Sequence, residues 1–413
     1  MAIFKPFKAV RPIAKNAVRL LCPPYDVLGR EQATNIACSD EMSFMHIIRS
    51  ETDLPDEDAY SENVYKKASE NLNDFLKKGI LNKDIKPSYY IYSQTMSERT
   101  QTGIVGCASI DDYEADIIRK HEKTRSEKEQ DRIRHFDACN ANTEPIFLMH
   151  KHSDTLEKII AEITENDIPV YEVTDKCNVI HKLWTVNNDD EIETIDRGFE
   201  KLEALYIADG HHRAASAVKV GHKRRKANPA YNGSEEFNRF MAVSISADKL
   251  NVLGYHRLLT DLNGMNKDEF LSALNNICNI DIQTEIMLPD KEHNIVMYID
   301  NTAYKLSFHK NLLPETSDII GNLDVSLLQN NILAPLLGIK DPRTDKRISF
   351  SGGIDCEKEI INTIDSGKAA VAFFIYPISV DNIMKVADAG LVMPPKSTWF
   401  EPKLGSGWFV HLL

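Results

Sequence analysis

The sequence has no long unbroken hydrophobic run. The longest, residues 369–378, is about ten residues and contains Pro377, whereas a membrane-spanning helix takes roughly 20 apolar residues. Lysines and arginines interrupt the apolar stretches near the N-terminus, so the pattern is not that of a signal peptide either. We therefore expect a cytoplasmic protein with no membrane partner.

Cysteine is scarce and scattered, with seven residues in 413 and no C-x-x-C pair. This spacing gives no disulfide framework and no zinc ribbon, and reduced thiols are the simpler interpretation. The adjacent His211 and His212 do not share a helix face as the two histidines of H-E-x-x-H do. A zinc site that also used His121 and His135 stays open as a minor alternative, although it lacks the usual ligand spacing.

The common phosphate and hydrolase motifs are also missing. No segment matches G-x-x-x-x-G-K-[ST], and Lys396-Ser397-Thr398 has no preceding glycines. A G-x-S-x-G elbow and the protein-kinase motifs are absent as well. The net charge of −13, from 49 basic and 62 acidic residues, argues against nucleic acid as the main partner. The basic run 222–226 is interpreted as a solvated helix end that suits the helix dipole.

What is present is an alternation of strand and helix patterns, which indicates a mixed α/β fold. We predict three regions, 1–110, 111–260 and 261–413. Apolar residues spaced by three and four predict a helix over 56–79, and 405–411 is predicted to form a final hairpin. Strands are predicted over 89–92, 103–108, 144–150, 169–173, 202–208, 240–245, 348–353 and 369–376. Further helices are predicted to begin near 127 and to cover 155–163, 214–220, 325–333 (with Asp324 as N-cap) and 379–390 (from Ser379 to Gly390).

The strongest local motif is IADGHHR at residues 207–213, which follows an apolar strand and enters an alanine-rich helix. A strand that enters a helix through a glycine turn leaves amide N–H groups at the helix N-terminus, and these groups bind anions. Arg213 can grip phosphate oxygens in a bidentate way. Asp209 is placed to bind Mg²⁺ or to take a proton. An ordinary capped turn uses the same groups and is an equally good local interpretation.

A second charged segment, residues 119–125, lies before another predicted helix. Glu122 is a candidate general base, while Lys123, Thr124 and Arg132 are candidates to hold an anionic ligand. The alternative is a surface helix with ion pairs worth about 0.3–0.5 kcal/mol each. Charge runs are usually solvated, so taken alone this segment favours the surface interpretation.

Residues 209–217 resemble the phosphate-binding turn of the ParB/sulfiredoxin superfamily, in which a glycine, an arginine and following small residues hold nucleotide phosphates. Within it, the Asp-Gly-His-x-Arg form looks most like the free serine kinases. The whole chain is also similar to a large bacterial family of uncharacterised proteins related to those kinases. The segments that carry this wider resemblance are CPPYDV at 22–27, HEKT at 121–124 with Asp131-Arg132, ADGHHR at 208–213, DVSLL at 324–328, PLLG at 335–338 and MPPKST at 393–398.

The resemblance implies a ParB/sulfiredoxin-like nucleotide-binding core at 111–260, with additional N- and C-terminal α/β regions that the compact kinases lack. It implies a kinase that transfers a phosphoryl group from ATP or ADP, with Mg²⁺, to L-serine or a similar small hydroxyl metabolite. A nucleotide-responsive, ParB-like regulator that uses run 222–226 on DNA is the alternative, and homodimerisation is left open. The site residues expected are Glu122, Asp209 and His212 for catalysis, Gly210, His211, His212, Arg213, Thr124 and Arg132 for the nucleotide, Lys123 and Lys396 for the substrate, and Asp209 for the metal.

Overall fold

The computed structural model describes residues 1–413, which form two units. The first unit comprises Met1–Lys120, Thr124–Leu250 and Pro402–Leu413, and the second comprises His121–Lys123 and Asn251–Glu401. The helices are α1 Ala17–Leu20, α2 Arg30–Ser39, α3 Met45–Ile48, α4 Glu62–Lys77, α5 Ile110–Glu114, α6 Ser126–Cys139, α7 Asp154–Asn166, α8 Asp189–Glu200, α9 His211–Ala227, α10 Lys267–Leu274, α11 Asp324–Leu328, α12 Cys356–Asp365 and α13 Val380–Asp388.

The strands are more numerous than the sequence patterns predict, and many are short. They are β1 Phe4–Lys5, β2 Val10–Pro12, β3 Leu81–Lys83, β4 Tyr89–Met96, β5 Arg99–Ser109, β6 Ile118–Arg119, β7 Ala141–Asn142, β8 Ile146–His150, β9 Tyr171–Thr174, β10 Ile180–Val186, β11 Leu205–Asp209, β12 Arg239–Ser246, β13 Val252–Leu253, β14 His256–Leu259, β15 Cys278–Gln283, β16 Asn294–Ile299, β17 Thr302–Phe308, β18 Ile348–Ser351, β19 Val371–Ile375, β20 Trp399–Phe400 and β21 His411–Leu412.

The first unit is built on a mixed nine-stranded sheet with the order β6-β11-β8-β12-β5-β4-β10-β9, and β1 pairs with β5. β8 lies between β11 and β12, antiparallel to the former and parallel to the latter. Phe147 on β8 is paired with Asp209 at the end of β11. This register places Glu144 and Pro145, which precede β8, near the end of β11, where α9 begins.

Helix α9 packs closely because small residues occupy positions 214–217 and 221. Ala214 and Ser216 are fully buried. At Gly221 a Cβ atom would lie 2.5 Å from the carbonyl oxygen of Phe237, so no larger residue fits there. The neighbouring α6 buries charged and polar side chains as well as Phe136, namely Glu129, Asp131, Arg132 and His135. Burying so many charged groups is unusual for a helix and marks this face as a candidate for function.

The second unit contains an antiparallel six-stranded sheet with the order β15-β17-β16-β19-β14-β18. Asp324 is the first residue of α11 and Leu323 is its N-cap, so the predicted capping role of Asp324 is wrong. Its carboxylate instead accepts a hydrogen bond of 2.7 Å from the amide of His293. Ser379 caps α13 as predicted, through the amide of Asn382.

The mixed α/β class is confirmed, and no helix is both long and apolar enough to cross a membrane. The two units differ from the three predicted regions, because strands from 1–110 and from 111–260 share one sheet. The predicted hairpin at 405–411 is wrong. Residues 411–412 pair with β7, and Val410 bridges to Val10. A short apolar segment does not specify its own partner, and burial of Trp408 and Phe409 decides the pairing here.

Candidate functional site

The turn between β11 and α9 has the geometry of an anion site. Gly210 is the N-cap of α9 with φ of +91°, a left-handed conformation that glycine adopts without steric cost. The helix begins with the bond from the amide of Ala214 to the carbonyl of Gly210, at 2.9 Å. The amides before Ala214 have no partner within the helix and lie at the positive end of its dipole.

Asp209 is held in its ionised form at this turn. Burial opposes ionisation, but Lys403, Arg213 and His211 outweigh it and hold the pKa of Asp209 at about 2. One oxygen, Oδ2, lies 3.4 Å from Lys403 Nζ and 3.7 Å from Arg213 Nη2. The carboxylate is therefore a fixed negative charge between two cations at physiological pH.

Arg213 is buried at the centre of the site. Its Nη1 donates to the carbonyl of Pro145 at 2.6 Å, while Nε has no hydrogen-bond partner. Burial lowers the pKa of this guanidinium, but Asp26, Glu144 and Asp209 outweigh that effect and raise it. Arg213 is thus a permanent cation with a free donor, as phosphate recognition requires.

Glu144 is completely buried and connects three distant segments. Its Oε1 accepts hydrogen bonds of 3.0 Å from the amide of Tyr25 and from Ser406 Oγ. Its Oε2 has no hydrogen-bond partner and lies 3.9 Å from Arg132 Nη1, which has none either. Burial raises the pKa of Glu144, and the charges of Arg213 and Arg132 oppose that rise.

Arg132 is held by a carboxylate and by an aromatic ring. Its Nε and Nη2 contact Asp131 Oδ2 at 3.0 and 2.9 Å, and its guanidinium carbon lies 4.0 Å from the ring centroid of Tyr25. Tyr65 donates to the other oxygen of Asp131 at 2.9 Å. An unsatisfied buried polar group costs about 1–3 kcal/mol, and three such atoms occur here, on Arg132, Glu144 and Arg213. This concentration indicates a place where a polar ligand binds.

A smaller polar cluster lies beside the same turn. Thr124 donates to Glu129, and Glu129 also pairs with Lys219 on α9. The amide of Arg125 donates to Nε2 of His212 at 2.9 Å, so the ring proton of the neutral imidazole is on Nδ1. Burial lowers the pKa of His212. His212 can therefore offer a ligand an N–H donor.

The segment CPPYDV forms a turn at this site. Tyr25 is buried, whereas the next residue, Asp26, is exposed. Arg49 Nη1 fixes the turn by donating to the carbonyls of Tyr25 and Leu28, both at 2.8 Å. The charge of Asp26 acts on Arg213 and His212. Asp26 is thus an accessible carboxylate beside the anion site.

Glu122, Lys123 and Lys396 belong to the second unit, whereas Asp209, residues 210–213, Thr124 and Arg132 belong to the first. Within the second unit, the amide of Met393 donates to the carbonyl of His121 at 2.9 Å. This bond joins the segment that carries Glu122 to the segment that carries Lys396. Glu122 is partly buried and Lys123 is exposed.

Three residues of the first unit that belong to this site, Asp26, Glu144 and Lys403, were not predicted as site residues. The sequence offers one indication for Glu144, which stands at the start of a strand that reads as fully buried. A buried carboxylate needs a partner. Asp26 lies within a segment that carries the wider family resemblance. Nothing near Lys403 in the sequence indicates that it reaches Asp209, which is 194 positions away.

The basic run at the end of α9 is matched by acidic neighbours. Arg225 forms a bidentate pair with Asp111 at 2.6 and 2.8 Å. Lys223 and Arg224 both contact Asp137, at 2.5 and 3.0 Å. These pairs leave less positive charge for a phosphate backbone, which favours the interpretation as a salt-bridged helix end.

One group of side chains, in the second unit, has metal-ligand chemistry. Ligand atoms of His256, Cys356 and Glu357 lie within 4.8 Å of one another. The amide of Ile375 donates to His256 Nδ1 at 3.2 Å, which puts the ring proton on Nε2. Burial raises the pKa of Cys356 to about 12. Cys356 would have to lose its proton to bind zinc, and His256 would have to change its tautomer or give up its hydrogen bond to Ile375, so this packing does not favour a metal.

His135, on the buried face of α6, makes unfolding sensitive to pH. Burial and the charge of Arg132 lower its pKa to about 4, against about 6.5 in an unfolded chain. The unfolded chain therefore binds an extra proton between those values, and stability falls as pH decreases from about 6.5 towards 4.

We expect His135→Gln to flatten this pH dependence, because glutamine can still donate to the carbonyl of Ile47, which His135 Nε2 contacts at 2.9 Å. The loss of unfolding free energy between pH 7 and pH 5 should shrink by about 1–2 kcal/mol, as measured by urea denaturation. His222→Gln, at a histidine whose side chain is 40% exposed, is the control. An unchanged slope would contradict the assignment of His135 as a buried neutral imidazole.

The fold defines a mixed α/β protein, in which a glycine-capped helix N-terminus, a buried arginine and an ionised aspartate meet at the end of β11. Residues 4–326 match the family described as "Protein of unknown function (DUF1015)". The chain belongs to this DUF1015 family. No curated protein sequence matches it significantly.

Several solved structures resemble the chain weakly. A conserved hypothetical protein from Pyrococcus furiosus is 11% identical, with 75% of this chain and 95% of that chain covered and a TM-score of 0.36. SbnI with a C-terminal truncation, from Staphylococcus aureus, is 12% identical, with 75% and 87% covered and a TM-score of 0.38. A free serine kinase in complex with AMP is 11% identical, with 72% and 86% covered and a TM-score of 0.35. These scores are too low to bear on activity.

Proposed function

We propose that this protein transfers a phosphoryl group from ATP or ADP to the hydroxyl of a small metabolite, with L-serine as the first acceptor to test. The observation that carries the proposal is the β11–α9 turn, where a glycine-capped helix N-terminus, a buried arginine with a free donor and an ionised aspartate meet. The resemblance of residues 209–217 to the ParB/sulfiredoxin turn supports the same assignment, and it is the source of serine as acceptor.

To catalyse phosphoryl transfer, a protein mainly has to position the reacting groups and stabilise negative charge. The amides of residues 210–212 and the free Nε of Arg213 would bind phosphate oxygens. Arg213 is rigid because Nη1 is fixed on the carbonyl of Pro145. Donors that are fixed before the reaction need no reorganisation as charge develops, and this is the main source of their catalytic effect.

The residues also fit a magnesium ion. Mg²⁺ is commonly bound by one or two carboxylates together with substrate phosphates. Asp209 offers such a carboxylate, ionised and directly before the amides that would bind the phosphates. When bound, the ion would neutralise charge on the transferred group.

The reaction also needs an acceptor for the hydroxyl proton. Glu122 is proposed for this role, because it is the one carboxylate in a run of cations. Lys123 and Lys396 are proposed to bind the carboxylate of the substrate, and His212 could donate its Nδ1–H to a ligand. Asp26 is the second candidate for the base, because it is exposed and acts electrostatically on Arg213 and His212.

A ³¹P NMR assay of the purified protein with Mg²⁺, ATP or ADP, and a panel of amino acids and polyols tests the proposal. We expect a phosphomonoester signal that requires one acceptor, with serine as the first. Arg213→Lys keeps a cation for the buried carboxylates but loses the planar donor fork. We expect this variant to lose at least about 1–3 kcal/mol of transition-state stabilisation, a tenfold to hundredfold lower rate.

Circular dichroism of Arg213→Lys tests whether a lower rate reflects unfolding, and we expect a folded protein. Intact nucleotide with every acceptor, while nucleotide still binds, would contradict the kinase and leave a nucleotide-binding regulator. A protein that binds no nucleotide would contradict the site itself.

A further inference from the structure

The last twelve residues of the chain, Pro402–Leu413, return to the first unit. We call this segment the C-terminal strap. Its first residues are fixed by side chains of the sheet. Gln101 and Gln94 donate to the carbonyls of Pro402 and Lys403, at 3.0 and 2.8 Å, and the amide of Gly405 donates to Tyr92 at 3.3 Å.

The remainder of the strap is also held by hydrogen bonds to the rest of the first unit. Cys22 and Ser406 exchange backbone hydrogen bonds of 3.1 and 2.8 Å. The indole of Trp408 donates to the carbonyl of Ala17 at 2.9 Å. At Gly407, a Cβ atom would lie 2.1 Å from the carbonyl oxygen of Leu20, so the strap needs glycine at this position. These contacts hold the backbone of Lys403 in one place.

The strap contacts both carboxylates of the candidate site. Ser406 donates to Glu144, and Lys403 Nζ lies 3.4 Å from Asp209 Oδ2. The latter distance is longer than the 2.7–2.9 Å of a tight charge-assisted hydrogen bond. The Lys403 side chain is 17% exposed. The ammonium group of Lys403 therefore lies beside Asp209 and is partly accessible to solvent.

The sequence has no P-loop lysine, yet a lysine lies beside the helix N-terminus that would bind phosphate. We propose that Lys403 binds the terminal phosphate of the nucleotide, and that the C-terminal strap positions this lysine at the site. This inference rests on the proposed nucleotide site. A flexible four-carbon stem lets the ammonium move from Asp209 to a phosphate oxygen while the backbone stays fixed.

Isothermal titration calorimetry of ADP and of adenosine tests this role. We expect Lys403→Met to weaken ADP binding by about 10- to 100-fold, the effect of one charge-assisted hydrogen bond. Adenosine affinity should stay within about twofold, because adenosine carries no phosphate. Lys403→Arg keeps the charge and should bind ADP within about fivefold of the wild type.

Lys201→Met is the matched control, because this exposed lysine precedes β11 and thus lies at the opposite end of the strand from Asp209. It should leave ADP affinity unchanged. Equal losses of ADP and adenosine affinity in Lys403→Met, or a large fall in its melting temperature, would assign Lys403 a structural role and overturn the inference. Unchanged ADP affinity would also overturn it. If the wild type itself binds no ADP, the proposed function fails and this inference fails with it.

Discussion

Glu122→Gln should lower the rate of phosphoryl transfer by about 10²–10⁴-fold, the contribution of a well-placed general base. The dissociation constant for ADP should stay within about twofold of the wild-type value, because glutamine has the same shape and the phosphate ligands are other residues. Single-turnover kinetics with saturating nucleotide measures the first quantity, and calorimetry measures the second.

The controls separate Glu122 from other acids. Glu127→Gln makes the same chemical change five positions away, at an exposed residue in the first turn of α6, and should leave the rate unchanged. Asp26→Asn tests the second carboxylate. If Asp26→Asn abolishes turnover and Glu122→Gln does not, the base is Asp26. Equal loss of turnover and ADP binding in Glu122→Gln would remove Glu122 from the base role.

Gly210→Ala should weaken ADP binding by about tenfold or more, because it disturbs the arginine as well as the turn. A non-glycine residue in the left-handed conformation costs about 1–2 kcal/mol. In addition, the new Cβ would lie 3.0 Å from Arg213 Nε and 3.2 Å from its Cζ. The methyl group would therefore displace the free donor that we propose for phosphate.

Gly233→Ala is a closely matched control. Gly233 has the same φ, +91°, but no atom lies within 4 Å of the position of its Cβ. Both variants should lose about 1–2 kcal/mol of stability in urea denaturation, and only Gly210→Ala should lose ADP affinity. If Gly210→Ala binds ADP as tightly as Gly233→Ala does, Arg213 Nε takes no part in nucleotide binding.

The predictions that the structure confirms are the local ones. The helix predicted over 56–79 is α4, and the two strands predicted at 89–92 and 103–108 pair as the antiparallel β4 and β5. Both follow from side-chain periodicity within a few residues. The turn at 207–213 is predictable for the same reason, since glycine, strand and helix are adjacent in the chain. The roles of the predicted site residues stay predictions.

Long-range pairing was not predictable in this way. The hairpin expected at 405–411 was based on local apolar residues, but those residues pair with β7 and with Val10, which lie far away in sequence. Five longer strands, β10 and β14 to β17, were not predicted from the sequence. Of these, β14 and β16 are buried on both faces, and β15 is exposed or partly exposed along most of its length. Alternation of polar and apolar residues is then lost.

The sequence by itself determined the turn from strand to helix at residues 207–213, because a strand end, a glycine and a helix start act through neighbouring residues. Only the tertiary structure decided what surrounds that turn. Glu144 meets Tyr25 and Ser406 across 119 and 262 positions, and Lys403 meets Asp209 across 194. The sheet order places β8 beside β11, and burial of the C-terminal strap brings the lysine to the site. Such contacts depend on which strands pair and which side chains are buried together, and no local pattern encodes that choice.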